Sequence, residues 1–73
     1  MKEIIMEALA EVLERDVSEI DEEQELAEFF EWDSLAVMGF VSLIDKKLSK
    51  HVSAVDIWHC EYVYEIIDLL EEA

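Results

Sequence analysis

The sequence predicts an all-α fold: a small four-helix bundle made of three main helices, one short helix and a long first loop. The chain has 73 residues, 53% of them hydrophobic, with no proline and a single glycine. Apolar residues recur at helical spacing in three separate segments. This composition is typical of a folded helical domain rather than an acidic disordered tail, so we expect one small domain over residues 1–73.

Charge limits the choice of partners. Twenty acidic and 5 basic residues give a net charge of −15, which repels nucleic acids and anionic membranes. We therefore expect no nucleic-acid or membrane partner. The expected partners are proteins with basic surfaces, and the protein itself is expected to be a monomer. The single cysteine, Cys60, cannot form an internal disulfide, and no signal-peptide pattern is present. These features favour a cytoplasmic location.

The first helix is predicted from Lys2 to Arg15, because apolar residues there follow one helical face and glutamates the other. Between Asp16 and Glu31 the periodicity breaks, which predicts a long loop rather than a helix. Loops of this length in compact domains are usually functional. The side chains predicted to anchor this loop are Val17, Ile20, Leu26, Phe29 and Phe30.

The second helix follows with Asp33 as its N-cap and Ser34 as its first helical residue. It continues from Leu35 to Leu48, with Met38, Ser42 and Asp45 on its outer side. Gly39 costs about 1 kcal/mol of helix stability relative to alanine within a helix. Either a close approach of another backbone or evolutionary drift explains the presence of glycine at this position. The predicted inner stripe is Val37, Phe40, Val41, Ile44 and Leu48, and the cations at the helix end are Lys46, Lys47 and Lys50.

The last part of the chain predicts a short helix and a final helix. Ser53 can cap a turn that runs through Val55, Ile57 and Trp58. Cys60 or Glu61 then opens the last helix, whose inward residues are Val63, Ile66, Ile67 and Leu70.

Ser34 is the candidate functional residue. A hydroxyl at the start of a helix lies where unpaired N–H groups and the positive end of the dipole favour a phosphate. The alternative is that Asp33 and Ser34 only cap a helix, which is the usual meaning of such a tripeptide.

Other chemistries receive less support. An EF-hand needs a glycine within its loop, and the acidic stretch from Glu19 to Glu31 has none. Zinc binding by His51, His59 and Cys60 lacks the usual paired spacing. A hydrolase built on Ser34 would need an oxyanion hole that so short a chain can hardly form. Cys60 is expected to be a small core residue, and Trp32 either packs or contacts a partner.

With this helix order and the Asp33-Ser34-Leu35 motif, the whole chain resembles the acyl carrier protein family, the phosphopantetheine-bearing four-helix domains of fatty acid, polyketide and related pathways. The resemblance needs no gaps. It places loop anchors at Ile20, Leu26 and Phe30 and the family's last helix at residues 62–70.

The resemblance implies that Ser34 is esterified by 4′-phosphopantetheine from coenzyme A. A separate phosphopantetheinyl transferase with magnesium would do this chemistry, so the protein is expected to be a carrier and not an enzyme. The arm would carry an acyl or aminoacyl thioester to loading and condensing enzymes. An acyl chain could also enter the bundle among Phe40, Ile44, Ile66 and Leu70.

Several positions depart from the family's pattern. Glu31 and Trp32 replace a glycine and a small or aliphatic residue, and Ser53 replaces a proline. The second helix has Ala36, Gly39, Lys46 and Lys47 where the family usually has acidic residues. We therefore expect a specialised, free-standing carrier. Its predicted recognition residues are Trp32, Asp33, Leu35, Met38, Gly39, Lys46 and Lys47.

Two alternatives remain open from the sequence. One is an aminoacyl or peptidyl carrier, which differs from an acyl carrier in cargo. The other is an acidic helical interaction module in which Ser34 stays unmodified.

Overall fold

The computed structural model describes residues 1–72, which form four α-helices and no strand. The helices are α1 (Lys2–Leu13), α2 (Ser34–Leu48), α3 (Ala54–Trp58) and α4 (Val63–Glu72). The predicted all-α bundle with three main helices and one short helix is confirmed. The first loop, residues 14–33, separates α1 from α2 and leads directly to Ser34.

Helix α1 ends two residues earlier than the sequence predicts. Glu14 adopts a left-handed backbone conformation with φ 56°, and the Arg15 N–H turns back to donate to the Ala10 carbonyl over 3.0 Å. This closure is a common helix C-terminal motif, although glycine usually occupies the left-handed position. Arg15 consequently leaves the helix and points its side chain toward the first loop.

The core is apolar throughout the described residues, with no buried polar or charged side chain. Helices α1 and α2 pack against each other, and α4 closes the bundle. Val41 and Leu48, predicted to face inward, are only half-buried against this core. The fully buried residues include Ile5, Leu9 and Leu13 of α1, Phe40 and Ile44 of α2, Ile57 of α3, and Val63, Ile66 and Leu70 of α4.

The first loop is more ordered than predicted. Two short 3-10 turns lie within it, at Val17–Glu19 and Leu26–Glu28. Leu26 and Phe29 are buried, whereas Phe30 is 94% exposed. The prediction that Phe30 anchors the loop is therefore wrong, and the neighbouring Phe29 takes that role. Val17 is also largely exposed, at 42%.

Backbone hydrogen bonds fasten the first loop to the beginning of α4. The Leu26 N–H donates to the Glu61 carbonyl over 2.7 Å, and the Val63 N–H donates to the Gln24 carbonyl over 3.1 Å. Together they form an isolated antiparallel bridge between residues 25 and 62. This pairing explains why α4 begins at Val63 rather than at Cys60 or Glu61, since the preceding residues are extended.

Candidate functional site

The turn before α2 fixes the position of Ser34. Asp33 has an extended backbone, with φ −131° and ψ −174°, and its Oδ1 accepts a hydrogen bond from the Ala36 N–H over 2.9 Å. The Asp33 carbonyl accepts from the Val37 N–H, also over 2.9 Å. Asp33 is thus the predicted N-cap, and Ser34 is the first residue of α2. The Ser34 side chain is exposed to solvent.

The helix end provides an electrostatic setting for an anion. The first N–H groups of a helix have no partner within the helix, and Asp33 satisfies only that of Ala36. The partial positive charge of the helix N-terminus therefore remains beside the Ser34 hydroxyl. Asp33 is the carboxylate at this helix start, and no acidic residue lies within the first turn of α2 itself. The N–H groups that Asp33 leaves unpaired therefore favour a phosphate on the exposed hydroxyl.

An apolar groove of about 250 Å³ lies between α2 and α3, with Ser34 on its edge. Met38 and Val55 form its exposed walls, at 62% and 59% exposure, and Trp58 is 51% exposed. Ser34 is the groove's polar residue, and the rest of the lining is Val37, Met38, Ala54, Val55 and Trp58. The groove can shelter the apolar part of a group attached to Ser34, since burial of apolar surface is favourable.

Trp32 holds the chain on the other side of Asp33. Its ring packs edge-on against Phe40, with ring centroids 6.2 Å apart, and it is half-buried. An aromatic pair in this arrangement contributes about 0.5–1.5 kcal/mol beyond its burial. The segment before Ser34 is thereby attached to the core of α2.

An ion pair connects the same segment to Arg15, the second residue after α1. The Arg15 Nη2 lies 3.1 Å from the Glu31 Oε1, and the Arg15 guanidinium also lies over the Phe29 ring, 5.3 Å from its centroid. A hydrogen bond from its own backbone N–H, and then the Arg15 guanidinium, hold the pKa of Glu31 below its ordinary value. Glu31 stands where the family resemblance places a glycine. It therefore makes a fixed contact with Arg15 at a position where a flexible residue was expected.

The family model for the phosphopantetheine attachment site matches residues 3–70. The chain belongs to this family of carrier domains. The predicted family resemblance and its cofactor, 4′-phosphopantetheine, are confirmed, and the chain is a phosphopantetheine-carrying protein of a generally non-catalytic kind. No curated protein and no solved structure gives a significant match.

The exposed hydroxyl, the helix N-terminus and the adjacent apolar groove all fit this cofactor. Phosphopantetheine supplies a thiol that holds cargo as a thioester. Ser34 offers an oxygen for the phosphodiester, and Met38, Val55 and Trp58 offer apolar contacts beside it.

The predicted recognition residues on α2 do not all lie near Ser34. Leu35 is 77% exposed and lies with Met38 next to Ser34. Lys46 and Lys47 are exposed in the last turn, about 18 Å farther along at the usual helical rise. They are too distant to contact the Ser34 hydroxyl themselves.

Gly39 is not explained by a close backbone approach. A β-carbon at this position would lie 3.5 Å from the Val12 Cγ1, which is an ordinary van der Waals contact with a side chain. The structure therefore gives Gly39 no steric requirement for glycine.

Trp58 and Val55 also belong to the site, since both line the groove at Ser34. The sequence indicated them only as parts of the short turn that Ser53 caps. Helix α3 has five residues and buries Ile57, so its other face turns Val55 and Trp58 toward solvent beside Ser34. The shortness of this helix could have indicated their position. So short a helix covers the core with only one face, which leaves its other side chains exposed. Ser53 caps this helix through the Val55 N–H, as predicted.

The three candidate zinc ligands, His51, His59 and Cys60, do not form a metal site. No group of three metal-ligating side chains occurs within residues 1–72, and His51 instead lies 3.4 Å from the Asp45 carboxylate. Burial, followed by the charges of Glu65 and Asp56, raises the pKa of the half-buried Cys60 thiol to about 11.

None of the helices in the described part of the chain is long and apolar enough to cross a membrane.

Proposed function

We propose that this protein is a specialised, free-standing acyl carrier protein in which 4′-phosphopantetheine is attached to the Ser34 hydroxyl. The observation that carries this proposal is the position of Ser34: an exposed first helical residue directly after the aspartate that caps the helix, at the edge of an apolar groove. Family membership supplies the cofactor, and Ser34 is the serine whose surroundings suit it.

In this proposal a separate phosphopantetheinyl transferase, with magnesium, joins the phosphate of the arm to the Ser34 oxygen. The serine needs no partner base on its own chain because the transferase supplies activation. Accordingly, the carrier contributes only exposure, position and charge. The whole chain, residues 1–73, acts as one domain and as a monomer.

The cargo in this proposal is an acyl thioester used in fatty acid, polyketide or related biosynthesis in the cytoplasm. The groove beside Ser34 has an apolar lining, which suits a hydrocarbon better than a charged amino acid. Loading and condensing enzymes with basic surfaces would then meet a carrier of net charge −15.

Intact-mass spectrometry tests the attachment. Incubation of the protein with coenzyme A, magnesium and a broad-specificity transferase should add one phosphopantetheine. Ser34→Ala should stay folded and unmodified, whereas Ser42→Ala, which removes another exposed serine of α2, should be modified like the wild type. Failure of folded wild-type protein to gain this mass, while a known carrier does, would support an unmodified interaction module instead.

A second measurement identifies the cargo class. Protein isolated from its native cells should have the mass of an acylated phosphopantetheine form. A mass corresponding to an amino acid or peptide would assign it to the aminoacyl carriers.

A further inference from the structure

A second and larger groove lies on the other side of Trp58 from the groove at Ser34. It has a volume of about 660 Å³ and runs between the first loop and the connection from α3 to α4. Four aromatic residues line it: Phe29, which is buried, and Phe30, Trp32 and Trp58. Glu25 and Glu61 add carboxylates. We call it the aromatic groove.

Two aromatic side chains of this groove, Phe30 and Trp58, face solvent to an unusual extent. Phe30 is 94% exposed and Trp58 is 51% exposed. Neither side chain gains much from folding, although each has a large apolar surface. Exposed aromatic clusters of this kind mark binding sites, because they supply rigid contact area at low entropic cost.

The groove is also negative. The ion pairs within residues 1–72 use Glu3, Glu22, Glu31 and Asp45, so Glu25 and Glu61 are not neutralised by them. The charge of Glu25 is the first cause of the raised pKa of the adjacent Tyr62. A ligand for this groove must therefore combine positive charge with a flat apolar surface.

We propose that the aromatic groove binds arginine side chains on the basic surface of a partner enzyme. A guanidinium group stacks on tryptophan and phenylalanine faces and pairs with carboxylates through its planar fork of donors. Phe30, Trp32 and Trp58 supply the faces, and Glu25 and Glu61 supply the carboxylates. This inference deepens the proposed function, on which it rests for the identity of the partner as an enzyme that uses the carrier.

The position of the groove suits such a partner. Trp58 lines both the aromatic groove and the groove at Ser34, and Trp32 precedes Ser34 by two residues. A protein bound at the aromatic groove thus lies beside the attachment point.

Helix α2 offers a basic partner little by comparison. It has no carboxylate before Asp45, and its last turn contains Lys46 and Lys47. Apart from the N-cap Asp33, the exposed face next to Ser34 therefore has no charge, while the first loop and the start of α4 carry most of the negative charge. Recognition of basic enzymes is accordingly displaced from α2 to the aromatic groove.

NMR titration of the isotopically labelled, unmodified protein tests this proposal. The probes are an acetylated tetra-arginine amide and the corresponding tetra-lysine amide, at equal ionic strength. Tetra-arginine should shift the indole signals of Trp32 and Trp58 and the backbone signal of Phe30, and should bind more tightly than tetra-lysine. Phe30→Ser and Trp58→Ala should each raise the Kd for tetra-arginine about two- to fivefold, as expected for an exposed cation–π contact.

Matched variants separate the groove from general negative charge. Val17→Ser removes an exposed apolar side chain of the same loop outside the groove and should leave the Kd unchanged. Glu25→Gln with Glu61→Gln should weaken binding more than Glu7→Gln with Glu11→Gln, which changes the net charge equally on α1. Phe30→Ser removes a side chain that is almost fully exposed, so its effect does not depend on folding.

Shifts spread evenly over the acidic surface, equal binding of both peptides, or wild-type binding by Phe30→Ser would each overturn the proposal. These measurements use unmodified protein, so their outcome is independent of attachment at Ser34. If the peptide binds at the groove but the transferase fails to modify the folded protein in the separate mass-spectrometry test, the proposed function is contradicted while the groove's preference for arginine stands.

Discussion

The Arg15 guanidinium spans from the end of α1 to the Glu31 carboxylate, with Nη2 3.1 Å and Nε 3.3 Å from the same Oε1. Both side chains are about one-third exposed, at 31% and 35%. The contact is possible because Glu14 turns the chain out of α1. It fixes the residue that lies three positions before Ser34, and so connects the end of the first helix to the start of α2.

Arg15→Met should release this contact and lower the melting temperature at neutral pH. The pKa of Glu31 is lowered in the folded state, so its contribution is present above its ordinary value of 4.5 and is lost as the pH falls through the folded value. The difference in melting temperature between the variant and the wild type should therefore shrink in acid.

NMR titration of the Glu31 carboxyl group provides the direct measurement. In Arg15→Met its pKa should rise but stay below 4.5, because the hydrogen bond from its own backbone N–H remains. An identical Glu31 pKa in both proteins would show that Arg15 does not act on this carboxylate.

The adjacent phenylalanines of the first loop should differ sharply in their contribution to stability. Phe29 is 4% exposed and Phe30 is 94% exposed. Phe29→Ala should cost about 3–5 kcal/mol of unfolding free energy, whereas Phe30→Ala should change it by less than about 0.5 kcal/mol. Urea unfolding measures both. Phe29→Leu serves as a milder variant that remains folded, and a large loss for Phe30→Ala would contradict the observed burial.

Asp33 should contribute to stability as a cap rather than as a charge. Asp33→Ala removes the acceptor for the Ala36 N–H and should cost about 1 kcal/mol. Asp33→Asn retains an acceptor and should be nearly neutral in urea unfolding. Rates of phosphopantetheine attachment to the two variants then separate the roles: a slow rate for the stable Asp33→Asn would indicate that the transferase reads the charge.

Salt should stabilise this protein. A net charge of −15 on 73 residues produces self-repulsion that ions screen, and the carboxylates between Glu19 and Glu31 should attract magnesium weakly. The melting temperature should rise with sodium chloride and rise further with magnesium chloride at equal ionic strength. A melting temperature that changes with neither salt would mean that repulsion between carboxylates does not limit the stability of the fold.

Lys46 and Lys47 should discriminate against enzymes adapted to an acidic second helix. Because these enzymes present basic surfaces, the two lysines replace attraction with repulsion. The protein should be a poor substrate for a housekeeping malonyl transferase, and Lys46→Glu with Lys47→Glu should improve the rate of acyl transfer. Lys46→Gln with Lys47→Gln should give an intermediate rate. Efficient transfer to the wild type, unchanged in the glutamate variant, would mean that the lysines only complement the helix dipole.

The parts of the fold that depend on nearby residues were predictable. Helix α2 begins at Ser34 because Asp33 caps a periodic segment that starts at once, and both signals lie within a few residues. The cap of α3 at Ser53 is predictable for the same reason. Ser34 emerged as the candidate site from these local signals together with the family resemblance.

The parts that depend on distant contacts were not predictable. No periodicity distinguishes Phe29 from Phe30, and the choice between them follows from how the loop pairs with residues 61–63. The end of α1 at Leu13 carries no glycine, the usual marker, because Glu14 itself adopts the left-handed conformation. The aromatic groove combines side chains of the first loop with those at the end of α3 and in the connection after it, which local patterns cannot place together.

The bridge between the first loop and the start of α4 also has a consequence for biosynthesis. The loop's residues leave the ribosome well before α4 does, yet its Leu26 N–H and Gln24 carbonyl find their partners only at Glu61 and Val63. A domain generally folds as a unit, so the first loop stays unpaired until the residues at the start of α4 have been made. The walls of the aromatic groove therefore come together only when the final helix has been made, and a nascent chain with an exposed Ser34 still lacks this surface.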